Sequence, residues 1–144
     1  MTPRYLGIDY GTKRIGLAIS SPIGTVHPRP RIDRTGEEAD IGALVGLVRE
    51  EGVEALVIGL PHHMDGAESE MERQARSFAV KVAAATGLPV FGTDERLTSA
   101  EADRILKVQG KRDPRARKAR VDSAAACILL QDFLNAEQKG DPIA

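Results

Sequence analysis

The sequence predicts an α/β protein in three layers, a mixed β-sheet with helices against it, and three observations carry that expectation. Residues 5–20 form two short apolar runs joined by Tyr10-Gly11-Thr12-Lys13, which reads as a β-hairpin because the glycine permits the reversal. Residues 26–34 follow as a third strand, so the chain opens as a meander. After that the pattern alternates between helix and strand, the order that builds parallel pairs.

Taken in order, residues 26–34 alternate apolar and basic positions around Pro28 and Pro30, and two residues without an N–H suit an edge strand. Thr35-Gly36-Glu37-Glu38 reads as a capping box, and Ile41, Leu44, Val45 and Val48 share one helical stripe before Gly52 ends it. Residues 54–59 are a continuous apolar run of the kind buried in parallel sheets. In the loop that follows, Asp65 with Glu68 behind it has the form of a helix N-cap. Met71, Ala75, Phe78, Ala79, Val82 and Ala83 line one face of a long helix that stops at Gly87. Residues 88–92 are another short strand. Thr98-Ser99-Ala100-Glu101 is a second capping box, opening a helix through Ala102, Ile105 and Leu106 to Gly110. A basic loop then leads to a last apolar helix over residues 121–134, with small residues at its start. No repeat or domain boundary interrupts the chain, so residues 1–144 read as one domain.

Composition narrows the class. Apolar residues at 42% and charged residues at 28% belong to an ordinary globular protein large enough to bury a core. A single cysteine excludes a disulfide framework, and Cys127 among Ala and Leu reads as a small core residue. No run approaches a membrane span, and residues 1–4 lead directly into a strand without a signal-peptide region, which points to the cytoplasm. The net charge of −1 decides nothing, but its distribution does. Lys107, Lys111, Arg112, Arg115, Arg117, Lys118 and Arg120 face only Asp113. Such a run is either a solvated loop between two helices or a segment that neutralises nucleic-acid phosphates.

The candidate chemistry lies in three carboxylates. Asp9 interrupts the apolar first strand near its end, where a desolvated charge needs a cationic partner; capping the turn or pairing with Lys13 would also meet that need. Asp94-Glu95-Arg96 follows the last strand, and Asp122 opens the last helix, whose Ser123-Ala124-Ala125-Ala126 would let it lie close to the sheet. Ligand sites in such sheets lie beyond the carboxyl ends of strands. If Asp9, Glu95 and Asp122 converge there, they cannot all stay ionised without cations, and hard oxygen donors select Mg²⁺ or Mn²⁺. Two ions about 3.5 to 4 Å apart would support in-line phosphodiester hydrolysis. Singly, Asp122 also suits the helix dipole, and Glu95 also suits a surface pair with Arg96. Thr12 and Lys13 in the turn beside Asp9 could hold a phosphate, and Arg96 could neutralise one. Aromatics make up 3% of the chain with no Trp, so base stacking is scarce, with Tyr10 as one platform.

These motifs resemble the YqgF/RuvX family. Residues 6–18 (LGIDYGTKRIGLA), Gly59-Leu60-Pro61 with Met64-Asp65-Gly66, residues 94–99 (DERLTS) and residues 121–125 (VDSAA) occur in the family's order and cover nearly the whole chain. The resemblance implies a ribonuclease H-like fold, a five-stranded sheet with the first strand central, and nuclease activity assigned to Holliday junctions and to pre-16S ribosomal RNA. It also implies that Asp9, Glu95 and Asp122 match the family's metal-binding carboxylates. Glu95 is preferred to Asp94 because neighbouring strand residues point to opposite sides and the longer side chain bridges a gap more easily. His63 departs from the pattern, standing where the family commonly has Asn; His62 and His63 read as exposed loop residues rather than ligands.

Two other classes compete. Residues 7–12 also resemble the first phosphate hairpin of sugar kinases and actin-like ATPases, but no second glycine-rich phosphate segment or second domain follows. A nucleic-acid-binding module with little catalysis would favour cations over three carboxylates. Branched DNA and structured RNA are both compatible substrates, and paired cutting of a junction would suit a two-fold homodimer.

Overall fold

A computed structural model describes residues 2–61, 69–94, 114–136 and 140–144. The apolar run after Arg4 becomes β1, Tyr5–Tyr10. A three-residue connection permits only antiparallel return, so β2, Arg14–Ser20, pairs with β1 and sets Asp9 opposite Gly16. A Cβ on Gly11 would stand 2.5 Å from the Arg14 carbonyl oxygen, so the turn admits no side chain there. β3, Val26–Asp33, completes the meander at the sheet edge, where the prolines predicted it. Ile15 pairs with Ile32 but Leu17 with Arg29, so β3 carries one extra residue around Pro30 and Arg31, a bulge.

The chain then crosses over twice. Helix α1, Glu37–Glu51, leads to β4, Ala55–Leu60, parallel to β1; helix α2, Glu70–Thr86, leads to β5, Val90–Asp94, parallel to β4. Helix α3, Pro114–Asn135, follows. The strand order β3-β2-β1-β4-β5 makes β1 central, as expected. Alternation divides its residues between two cores. Leu6 and Ile8 join Leu44, Val48, Phe78 and Val82 of α1 and α2 on one face, whereas Tyr5 joins Ala126, Leu129, Leu130 and Phe133 of α3 on the other. Helices thus cover both faces of the mixed sheet. Cys127 packs partly buried in the α3 layer, where desolvation pushes its thiol up to about 11, so it stays protonated at neutral pH.

Several local expectations are corrected. The last helix starts at Pro114, not at residue 121, so the carboxyl half of the predicted basic loop is helical. Proline is pre-organised for a first helical turn, and Arg, Ala and Lys are strong helix formers, so Pro114 and the residues after it start the helix. It follows that Asp122 is in the helix interior and not at its dipole end. α1 is not capped by Thr35. Its N-cap is Gly36 without a side-chain bond, because buried Asp40 accepts the Thr35 amide (3.3 Å) together with Arg34 Nε (2.9 Å). α2 is capped by Ser69, whose Oγ accepts the Glu72 amide at 2.9 Å, and not by Asp65, which lies outside the described residues. β4 and β5 each run to Leu60 and Asp94, further than predicted, since these two residues pair with each other. Residues 143–144 bond Val90 on the outer edge of β5 (Ile143 N–H to Val90 O 2.7 Å, Val90 N–H to Ala144 O 2.9 Å), a contact the sequence did not suggest. The predicted capping box and helix over residues 98–110 lie outside the described residues.

Candidate active site

Asp9 is the penultimate residue of β1, half-buried at the carboxyl end of the central strand. Its parity with Tyr5 and Gly7 assigns it to the α3 face of the sheet. The neighbours on that face lack side chains: Gly7 precedes it, Gly16 is directly opposite, and Gly59 continues the α3-facing row of Ala55 and Val57 in β4. Among the described residues, the strand positions flanking Asp9 on this face are therefore glycines.

α3 is drawn close to this region by the same absence of side chains. A Cβ on Gly7 would meet Leu130 Cβ at 3.0 Å and the Ala126 carbonyl oxygen at 3.2 Å, so the helix backbone rides directly on β1. At the other end of that contact Tyr5 meets the Phe133 ring edge-on, with centroids 5.3 Å apart. Passing from Tyr5 to Gly7 along β1 thus corresponds to passing from Phe133 back to Ala126 along α3. Two more strand residues, about 7 Å, reach Asp9; one more helical turn, about 6 Å, reaches Asp122. The backbone positions of Asp9 and Asp122 advance together toward the same end of the sheet. Buried Ser123 secures the helix at this point, its Oγ donating to the Arg29 carbonyl of β3 at 2.6 Å.

Asp94 closes β5 at the same sheet end, paired with Leu60. Glu95, Arg96, Lys111 and Arg112 lie outside the described residues. Arg115 and Lys118 belong to the first turns of α3 and not to a loop. Thr12 and Lys13 are exposed in the β1–β2 turn and, with Asp9, Gly11, Arg14 and Gly16, line a cleft of about 250 Å³. Larger depressions exist, about 530 Å³ around Thr2, Arg4 and Glu51 and about 660 Å³ between α1 and α2 at Ile41 and Ala84. The smaller cleft is the better candidate, because it alone of these adjoins the carboxyl end of β1. Among the described residues no three His, Cys, Asp or Glu side chains cluster tightly enough to hold a metal.

Tyr10 is not a base-stacking platform. Its ring packs on Phe78 (centroids 4.9 Å apart) and lies under the Arg34 guanidinium at 4.8 Å. Arg34 also donates to the Gly11 carbonyl oxygen at 3.0 Å. Burial disfavours the guanidinium charge, but hydrogen bonds to Asp40 and Tyr10 outweigh it and hold Arg34 above its ordinary value. Sequence reasoning passed over this cluster. A basic residue closing an edge strand six positions before an acid in the next helix was the available signal.

Residues 3–136 match the family model described as RuvX, Holliday junction resolvase. The chain belongs to this RuvX family. Relatives named "Putative pre-16S rRNA nuclease" include one from Anaeromyxobacter sp. (strain Fw109-5), 42% identical over 133 residues, which span 92% of this chain and 96% of that protein. Another, from Picosynechococcus sp. (strain PCC 7002), is 42% identical over 134 residues, 92% of each chain. Among solved structures, T. thermophilus RuvC in complex with a Holliday junction substrate superposes with a TM-score of 0.64 at 14% identity, covering 98% of this chain and 99% of that one. That likeness is one of fold, and with it the ribonuclease H-like expectation for this RuvX chain is met. No helix among the described residues is long and apolar enough to cross a membrane.

Proposed function

We propose that the chain is a divalent-metal-dependent endonuclease acting on structured nucleic acid, with residues 1–144 as a single nuclease domain and Asp9, Glu95 and Asp122 as its metal-binding carboxylates. The observation that carries this reading is the seat of α3 on Gly7, which advances Asp122 along the helix as Asp9 advances along β1. Parity supports Glu95 over Asp94. Neighbouring strand residues point to opposite sides, Phe91 packing in the α3 layer and Val90 in the opposite one, so Asp94 shares the parity of Val90 and not that of the α3 face.

The residues fit a hard cation. The proposed donors are carboxylate oxygens, and Gly16 opposite Asp9 adds no competing side chain, so Mg²⁺ or Mn²⁺ is favoured over zinc. When bound, two such ions would supply an activated water and charge compensation for the leaving oxygen. The chain's own residues orient the substrate. The Thr12 hydroxyl and Lys13 ammonium would hold non-bridging phosphate oxygens from the exposed turn. Arg96 would neutralise the scissile phosphate, and Lys111, Arg112, Arg115 and Lys118 the phosphates flanking it.

Relatives sharing 42% of residues across the chain support precursor 16S ribosomal RNA as the leading substrate. A four-way DNA junction is the second reading, supported by the family description, and paired cuts would then suit a two-fold dimer. The test is cleavage of a labelled structured RNA with single-stranded flanks and of a labelled four-way junction, each with Mn²⁺, Mg²⁺ or EDTA. Cutting that requires the metal is expected, with the RNA preferred. Binding without cutting of either substrate would overturn the nuclease reading in favour of a binding module.

The basic segment has its own expected outcome. Replacing Arg115 and Lys118 by Ala should lower the slope of log affinity against log salt by about two, since each phosphate contact contributes close to one. Affinity titrations from low to high salt measure this directly. An unchanged slope would reduce the two cations to solvated surface.

A further inference from the structure

We infer that Arg34, locked by Asp40, is a positioning residue for cleavage, clamping the β1–β2 turn from behind so that Asp9, Thr12 and Lys13 keep one arrangement. The inference rests on the nuclease reading for its effect on cutting, but its geometry stands independently.

Arg34 follows the last residue of β3 and sits on the face of the sheet opposite α3. Its backbone N–H bonds the Lys13 carbonyl oxygen at 2.9 Å, and its Nη1 bonds the Gly11 carbonyl oxygen at 3.0 Å. One residue therefore grips both ends of the turn. Its guanidinium plane covers the ring of Tyr10, the residue next to Asp9, and approaches the Phe78 ring at 5.6 Å. The group is in turn held by Asp40 of α1, which is 2% exposed and whose other oxygen is occupied by the Thr35 amide. A planar fork stacked on aromatics and bonded to two different acceptors cannot swing without losing all of these contacts at once. A lysine could keep the charge opposite Asp40, but its single ammonium cannot also stack and reach Gly11.

A buried ion pair is weak grounds for stability alone, since apolar or neutral replacements often serve as well. What this pair does that a neutral pair would not is connect α1 to the backbone of the Asp9 turn. Displacements of about an ångström at a catalytic constellation cost up to roughly a hundredfold in rate.

The test uses two variants, because Arg34→Ala would strand Asp40 and could unfold the chain. Arg34→Lys preserves the charge pair, and Arg34→Met with Asp40→Asn removes both charges while leaving an acceptor for the Thr35 amide. Expected in both is a fall in kcat of roughly 10- to 100-fold with KM unchanged, weaker binding of Mn²⁺ alone by electron paramagnetic resonance, and faster amide exchange at residues 11–14 with β4 amides unaffected. Folded variants that cut at the wild-type kcat would overturn the clamp. If the wild type cuts neither substrate, the nuclease reading fails separately. Unchanged exchange at residues 11–14 and unchanged Mn²⁺ affinity would then overturn the clamp as well.

Discussion

Asp9→Asn should reduce metal-dependent cleavage more than about a hundredfold, beyond what the loss of an outer-shell partner of a metal ligand costs. The substitution is nearly isosteric and removes one negative charge from the carboxyl end of β1, where Asp9 is half-buried beside Gly16. An amide oxygen is a poorer ligand for a hard divalent cation than a carboxylate, and its NH₂ would turn a donor toward the ion. The fold should survive, because the β1 pairing uses the backbone and the Gly7 seat of α3 is untouched. Nucleic-acid affinity should also survive, since the proposed phosphate contacts come from Lys13, Arg96 and the basic segment. Rates on the preferred substrate at saturating Mn²⁺, with circular dichroism for fold and a binding titration for affinity, check all three parts. A variant that cuts at the wild-type rate would remove Asp9 from the site.

Gly7→Val should lower stability by about 3 kcal/mol and take most of the cleavage with it, through α3 rather than through any reacting group. Even a Cβ at this position would stand 3.0 Å from Leu130 Cβ and 3.2 Å from the Ala126 carbonyl oxygen. Leu130 is fully buried, and Ala126 offers backbone rather than a movable side-chain end, so the strain has no local outlet. Overpacking of a close-packed core costs about 1–3 kcal/mol, and the branched methyls place valine at the upper end. The helix would relieve the clash by lifting from β1. The rise would carry Asp122 away from Asp9, so folded Gly7→Val should bind Mn²⁺ more weakly than wild type. Urea unfolding followed by Mn²⁺ titration of the folded protein separates the two effects. Loss of stability with undiminished Mn²⁺ affinity would show that the seat serves packing only.

Elements with a strong local period were legible. The hairpin, the edge position of β3 with Pro28 and Pro30, and the stripes of α1 and α2 each follow from side chains within a few residues of one another. Helix ends were legible where glycine took the left-handed conformation, as Gly52 and Gly87 do. The start of α1 was misread because a tertiary partner replaced the local cap. Asp40 is recruited by Arg34 across the end of β3, which no capping pattern encodes. The start of α3 at Pro114 was misread for a different reason, because proline marks both a helix's first turn and its interruption.

The candidate site divides along the same line. Sequence by itself determined the class of the protein, the order of its strands along the chain and the acidic residues worth testing, because residue type and spacing carry donor chemistry and hydrophobic period. Only the tertiary structure decided that Asp9 faces α3 among three glycines, that the helix comes close enough over Gly7 to bring Asp122 to the same sheet end, and that Tyr10 is consumed by Phe78 and Arg34 instead of facing a base. These depend on contacts between residues tens to more than a hundred positions apart. Such contacts are set by which surfaces fit when helix meets sheet, and no local pattern records that fit.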